Sequence, residues 1–233
     1  MPLLEKLLGS ERAAAHLAER EARRARGEAV LGRRFDFSRD WERYLDSARV
    51  LLEHAKAVDR LDHFSKPIGY LQRHAVELIL KSLLESLYGI EADQMELDEL
   101  EGPRRQVPNT HDLERLHDLL AVVLPTLYLT VPPELTALVA DMAKVEDGDE
   151  TRWRFPKGAR GNYRNKPSFP KETIVPATDW QERLNEIRER HLRVRMGHHE
   201  DRTLVETIGY EAEGITQAQL KAGLITFDDA ESP

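Results

Sequence analysis

The chain has 233 residues, no cysteine and a formal net charge of −8, with 40% hydrophobic and 33% charged residues. The lack of cysteine excludes disulfides, thiolate metal sites and a cysteine nucleophile, and it fits a reducing cytosol. The length suits one or two domains, and a composition rich in Leu, Ala, Glu and Arg favours helices. The negative charge argues against a general nucleic-acid coat but leaves a local basic patch open.

Residues 1–32 predict an N-terminal helical arm, in which a leucine-rich start precedes a charged continuation. This arm either forms a solvated leader helix or packs on a partner or on the core. The sequence shows neither a signal peptide nor a run of about eighteen apolar residues that would span a membrane. We therefore expect a cytoplasmic protein that makes no membrane contact.

The first core helix is predicted from Ser38 to Val58, because apolar residues recur there every three or four positions. The most hydrophobic segment follows it. Pro67 suits a first helical turn and Gly89 suits a C-terminal cap, so we predict the next helix between them, through Ile90. Apolar residues cover about half of its circumference, which places it at the centre of a bundle. They are Val76, Ile79, Leu80, Leu83, Leu84, Leu87 and Tyr88.

Two further helices are predicted after an acidic segment that Pro and Gly interrupt. The first starts at a cap formed by Asn109 or Thr110, and Pro125 limits its end. The second has Pro132 in its first turn and continues to about Lys144. Short connections of this kind are typical of antiparallel helix bundles.

The remaining sequence predicts a long loop, one more core helix and a tail. Residues 146–176 show little periodicity and contain several Gly and Pro. Thr178 or Asp179 caps the last long helix, and Gly197 is the first residue able to break it. A helix resumes after it, and an acidic tail with one short helix covers residues 211–233. We thus predict an all-α bundle of about four or five helices in a domain of residues 33–210.

A basic and aromatic segment interrupts this acidic chain. Residues 151–171 contain seven Arg or Lys and no Asp or Glu, with four aromatic residues interleaved. A positive aromatic loop suits a phosphate backbone with stacked bases. The alternative is a loop that packs across the bundle, with its aromatic residues buried and its arginines paired with acidic helices. The candidate nucleic-acid contacts here are Arg152, Trp153, Arg154, Arg160 and Tyr163.

Three segments resemble the HEPN family (higher-eukaryote-and-prokaryote nucleotide-binding domains): HAVELILKSLL, THDLERLHDLL and DETRWRFP. The resemblance spans roughly residues 40–200. It implies a HEPN-like helical bundle, often a homodimer, in toxin–antitoxin or defence systems, with a partner protein from a neighbouring gene. Many members are metal-independent ribonucleases with an Arg-x4-6-His motif near the last core helix. Others lack the motif and serve as binding or neutralising modules, such as antitoxins or scaffolds.

The spacing of that motif occurs here from Arg193 to His198, and His199 fits as well. The resemblance therefore implies Arg193 and His198 as catalytic residues. Arg195 and His199, four residues apart, share a helix face, and we take them as further RNA contacts. The residue after the arginine is commonly polar in active members, whereas here it is Val194. The chemistry is reasonable, because a histidine accepts the 2′-hydroxyl proton and an arginine matches phosphate oxygens.

The helix geometry argues against a shared active site for Arg193 and His198. If the helix is unbroken, Arg193 lies about 140° around its axis from His198, too far to share a face. The two converge only if Gly197 ends or bends the helix, or if a dimer assembles the site. The competing interpretation is that His191 and His198 are half-buried or interface residues beside solvated arginines.

The central helix carries a narrow polar strip of His74, Glu77, Lys81 and Glu85. Glu–Lys spacings of four explain it as a solvated face, and the alternative is that it lines a groove beneath the basic loop. Arg73 falls within the apolar sector, where a buried arginine needs an acidic partner or an anion. We therefore take Arg73 and His74 as candidate phosphate contacts, unless Arg73 reaches solvent.

Residues 198–201, HHED, do not predict a metal site, because adjacent helical residues point apart and no second ligand cluster is near. The chain has no GK[ST] phosphate loop, no GxGxxG after a strand and no GxSxG. We expect no cofactor. The expected partner is RNA or a nucleotide, and the alternative function is a non-catalytic helical interaction module with a dimer interface.

Overall fold

The computed structural model describes residues 37–100, 102–149, 152–154, 167–169, 171–193 and 202–225, together with isolated residues between 14 and 26. The chain divides into two units, Met1–Asp36 and Phe37–Pro233, and the helices described below all belong to the second. The isolated residues are all that is described of the predicted N-terminal arm.

The described part of the second unit contains six α-helices. The predicted all-α bundle is therefore confirmed. The helices are α1 (Phe37–Ala57), α2 (Leu61–Leu97), α3 (Leu113–Val123), α4 (Pro133–Glu146), α5 (Ala177–Ile187) and α6 (Leu204–Ala222). A 3-10 turn, Leu124–Leu127, extends α3, and a π-helical turn, Arg188–Leu192, extends α5. Four helices, α1, α3, α5 and α6, pack directly on α2.

The long helix α2 is the centre of the bundle, as its apolar pattern predicts. All seven apolar residues of the predicted face are buried, and each buried leucine contributes about 1.5–3 kcal/mol. Both predicted ends were wrong, however. Helix α2 has 37 residues, with Pro67 inside it, and it continues past Gly89, which is exposed.

The other helices follow their predictions to different extents. Helices α1 and α4 agree closely with theirs, whereas α3 is capped by Asp112, whose side chain accepts a hydrogen bond from the Arg115 N–H. Helix α6 begins with a capping box, in which Thr203 Oγ1 accepts from the Glu206 N–H and Glu206 Oε2 accepts from the Thr203 N–H. It continues through position 211, where we predicted a tail. Gln219 on its last turns is buried and donates to the Asp93 carbonyl at 3.4 Å.

The end of α5 also differs from the prediction. The π-helical turn gives way at Arg193 to extended backbone, with φ −83° and ψ 127°, so the helix ends before Gly197. The 140° separation, which held only for an unbroken helix through His198, therefore does not apply. Trp180, Leu184 and Ile187 on α5 are buried.

Candidate functional site

Glu77 on α2 is a buried carboxylate surrounded by basic side chains. Lys81, one turn further along α2, donates to Glu77 Oε1 at 2.8 Å, and His111 Nδ1 lies 2.8 Å from the same oxygen. Arg73, one turn earlier, donates to Oε2. Arg154, from the turn after α4, brings its Nη2 to 3.9 Å from Oε2. Arg154, at the start of the basic segment, thus lies near Glu77 of the polar strip, while the Glu77–Lys81 pair has the four-residue spacing of the first interpretation.

These neighbours keep Glu77 ionised. Burial by itself raises the pKa of a carboxyl group, because it disfavours the charged form. Around Glu77 the opposing effects of His74, Lys81, Arg73 and His111 are together larger, and they hold its pKa well below the ordinary value. Glu77 therefore accepts hydrogen bonds and does not donate them.

Arg73 links three segments of the chain through buried contacts. Its guanidinium donates to Glu77, to Glu146 Oε1 at the end of α4 at 2.6 Å, and to the backbone carbonyl of His111 just before α3. Two carboxylates thus supply the acidic partners that a buried arginine needs. A buried charge so paired is poorly placed to bind a phosphate, and Arg73 instead fixes the frame of the site.

His111 is held at both its ring and its backbone. Since Glu77 only accepts, its contact at 2.8 Å places the proton of His111 on Nδ1. In the neutral imidazole the other ring nitrogen, Nε2, then carries the lone pair. The Arg154 guanidinium faces both ring nitrogens, with Nη1 3.3 Å from Nε2 and Nη2 3.4 Å from Nδ1. His111, Arg154 and Lys81 remain accessible, with side chains 37%, 29% and 23% exposed.

Aromatic rings border these cationic groups. His74 stacks on Tyr70 with ring centroids 5.7 Å apart and meets the edge of Tyr44 at 4.4 Å. The Arg154 guanidinium lies 5.9 Å from the centre of the Tyr70 ring. His74 Nδ1 is 3.6 Å from Glu77 Oε2, beyond hydrogen-bond distance. We call the set of Tyr70, His74, Glu77, Lys81, His111 and Arg154 the Glu77 site.

Arg152 and Trp153, two of the predicted nucleic-acid contacts, are buried. Arg152 donates to the carbonyls of Ser168, Val145 and Glu146, and its guanidinium lies 4.6 Å from the centre of the Phe169 ring. Trp153 packs edge-on against Phe169 and Trp180. The packing interpretation of the basic segment therefore fits these two residues, whereas Arg154 faces the Glu77 site.

Arg193 lies apart from the Glu77 site, at the end of α5. Its side chain is 63% exposed and pairs with Glu189 at 2.6 Å, which raises the pKa of Arg193. It lines a cleft of about 590 Å³ between α1, α2 and α6, whose apolar floor includes Trp41 and Ile208. The candidate residues His198, Arg195, His199, Arg160 and Tyr163 lie outside the described residues.

Sequence reasoning missed Tyr70 and His111 of the Glu77 site, and it also missed Glu146, which pairs with Arg73 beside the site. Glu146 and His111 contact α2 residues far along the chain, and neither stands in a local pattern that marks such contacts. One signal was present for Glu146. An arginine in an apolar sector requires a buried acid, and Glu146 is a carboxylate at the end of a predicted helix. Nothing comparable pointed to His111.

The described residues contain no group of three or more His, Asp or Glu arranged to hold a metal ion. Within the same residues, none of the helices combines the length and the apolar composition of a bilayer span.

Comparison of the chain with protein-family models, curated proteins and solved structures found no match. The helices described above show an all-α bundle. Because no comparison matched, the HEPN resemblance stays a prediction.

Proposed function

We propose that this protein binds RNA or a nucleotide through the Glu77 site. One observation carries the proposal: Lys81, His111 and Arg154 converge on a single accessible edge in a chain whose net charge is −8. The three permanent cations around it, Arg73, Lys81 and Arg154, outnumber the two carboxylates, Glu77 and Glu146.

The exposed groups suit a phosphate next to a base. Arginine matches phosphate oxygens with its planar fork, and lysine contributes a point charge. Lys66, Pro67, Tyr70, Trp153 and Arg154 line a shallow hollow beside the cations. A guanidinium plane and aromatic rings are the surfaces on which unpaired bases stack. We therefore expect single-stranded RNA to bind more tightly than a duplex.

The HEPN resemblance supports the same class of ligand. Two of the segments that carry it, HAVELILKSLL and THDLERLHDLL, contribute Glu77, Lys81 and His111 to the site, and the third contributes Arg154. A metal-independent ribonuclease of toxin or defence type, acting as a homodimer through Arg193 and His198, is the finer form of the proposal. It predicts RNA cleavage in EDTA that H198A and R193A abolish.

RNA binding is tested by fluorescence anisotropy of a labelled single strand, in EDTA, over a range of salt concentrations. The double variant R154A/K81A should weaken binding and lower the slope of log K against log salt by about 0.7 for each phosphate that is no longer neutralised. The matched control is R43A/R49A, which removes two exposed arginines of α1 that pair with Asp40 and Glu53. Equal affinity and equal slopes for the two double variants would refute the proposal.

One observation favours the second candidate, a protein-interaction module. Tyr128, directly after the 3-10 turn that extends α3, is 99% exposed and has a φ of 57°, and Val122 on the last turn of α3 is exposed too. Exposed aromatic side chains often anchor interfaces. A dimer that light scattering detects and that V122S/Y128S abolishes, together with an absence of RNA binding, would favour this function.

A further inference from the structure

We propose that His111 is a general base for RNA strand cleavage and that the Glu77 site is a catalytic centre distinct from Arg193 and His198. The inference rests on the proposed RNA binding and adds a reaction to it. It is carried by the two-sided attachment of His111: Glu77 holds its ring at 2.8 Å and Arg73 holds its backbone carbonyl. Nε2 is thereby presented beside Arg154.

This arrangement supplies the groups that attack of a 2′-hydroxyl on a phosphodiester requires. A base must be oriented in one tautomer, which a carboxylate on the opposite nitrogen achieves. Cations must stand where negative charge develops. Arg154 Nη1, 3.3 Å from Nε2, is the cation next to that place, whereas Lys81 binds the Glu77 oxygen on the Nδ1 side of the ring. A phosphate between the guanidinium and the imidazole would replace the long contact that now joins them.

The reaction is a transphosphorylation within the RNA. His111 Nε2 takes the proton of the 2′-hydroxyl, and the 2′-oxygen forms a bond to phosphorus. The bond from phosphorus to the 5′-oxygen of the next nucleotide breaks, and water protonates that oxygen. His111 then returns its proton to the hydroxide so formed. The products are a 2′,3′-cyclic phosphate and a free 5′-hydroxyl, with no net consumption of water and no change of oxidation state.

The roles of the two supporting residues differ from that of His111. Arg154 contacts the phosphate and is catalytic in this scheme, whereas Glu77 acts through the imidazole and is a positioning residue. By contrast, Arg193 is largely exposed and its guanidinium is bound to Glu189. Because His111 takes the proton of the reacting hydroxyl in this scheme, its removal should lower the cleavage rate far more than it weakens the affinity for RNA.

The experiment uses the full chain in EDTA with an end-labelled RNA and, in parallel, the anisotropy assay. We expect wild-type protein to yield a 2′,3′-cyclic phosphate end and to leave intact an RNA with 2′-deoxy at every position. H111G should lower the cleavage rate about 10²- to 10⁴-fold, a larger factor than the change in the Kd for RNA. Added imidazole should restore cleavage by H111G, which a merely structural role would not allow. H54A, at an exposed histidine of α1, is the control.

Each other outcome is decisive. RNA that binds but stays uncut by wild-type protein overturns the catalytic inference and leaves the proposed binding function standing. Cleavage that H111G retains and H198A abolishes overturns it in favour of the Arg193 motif. An absence of RNA binding refutes the proposed function itself. For Glu77, E77Q should slow cleavage while E77D restores part of it; equal activity of E77Q and wild type would remove Glu77 from the scheme.

Discussion

Gly69 and Gly89 lie on the same helix, and adding one methyl group at each should have opposite effects on stability. Replacing glycine by alanine inside a helix stabilises it by about 1 kcal/mol. A Cβ at Gly89 meets no atom within 4 Å, so G89A should gain that amount. A Cβ at Gly69 would lie 2.7 Å from Trp153 Cη2 and closer still to Cζ3.

The Trp153 ring has little room to withdraw, since it is buried and packs edge-on against both Phe169 and Trp180. Overpacking of a core costs about 1–3 kcal/mol. Set against the helix-propensity gain, G69A should be destabilised by up to about 2 kcal/mol. The two variants should therefore differ by about 1–3 kcal/mol in their free energies of unfolding.

Urea unfolding followed by far-UV circular dichroism measures this difference. A double-mutant cycle identifies its cause: in the background of W153L, which removes the ring, G69A should become neutral or stabilising. If G69A raises the urea midpoint as much as G89A does in the wild-type background, the close packing of Trp153 on α2 is refuted.

Two further predictions concern the charges beneath the site. Replacing Arg73 by methionine leaves Glu77 and Glu146 buried without their shared partner, and it should cost about 3–5 kcal/mol of unfolding free energy. R49M, which breaks an exposed pair with Glu53 at 3.1 Å, should cost less than about 1 kcal/mol; similar values for the two variants would contradict the buried clamp. Because the pKa of Glu77 is lowered in the folded state, its contribution to stability is complete above the unfolded pKa of about 4.3 and is lost as the pH falls through the folded pKa. The difference in urea midpoint between wild type and E77Q should thus be constant near neutral pH and shrink in acid, and a difference that grew in acid would contradict the lowered pKa.

Residues that favour or stop a helix predicted a helix end correctly where the end depends on those residues alone. Pro132 and Pro133 mark the start of α4 in the sequence as they do in the structure. The apolar face of α2 was also readable, because periodicity reports which side chains are buried. The ends of α2 were not. Pro67 and Gly89 disfavour a helix interior by about 3 and about 1 kcal/mol, yet the helix continues past both, where Phe64 and Ile90 pack on the core.

The candidate site was less readable than the fold. Its distinguishing contacts join α2 to residues that lie 34 and 73 positions further along the chain, namely Glu77 to His111 and Arg73 to Glu146. Spacing along one helix carries no information about such pairs. The basic segment was recognised by composition, yet composition could not tell that Arg152 packs inward while Arg154 lies at the surface of the site.

The hydrogen bond from Arg73 to the His111 carbonyl divides the connection between α2 and α3 into a fixed end and an exposed upstream stretch. That bond fixes the chain just before α3 begins, whereas residues 98–100 and 102–106 further upstream are exposed to solvent. This upstream stretch contacts α2 through surface ion pairs, Arg104 with Glu96 at 3.2 Å and Arg105 with Glu91 at 3.5 Å. It is a suitable position for a short peptide insertion or a reporter dye, because exposed connections tolerate such changes. A label there would lie on the same connection as His111 without replacing any residue of the Glu77 site.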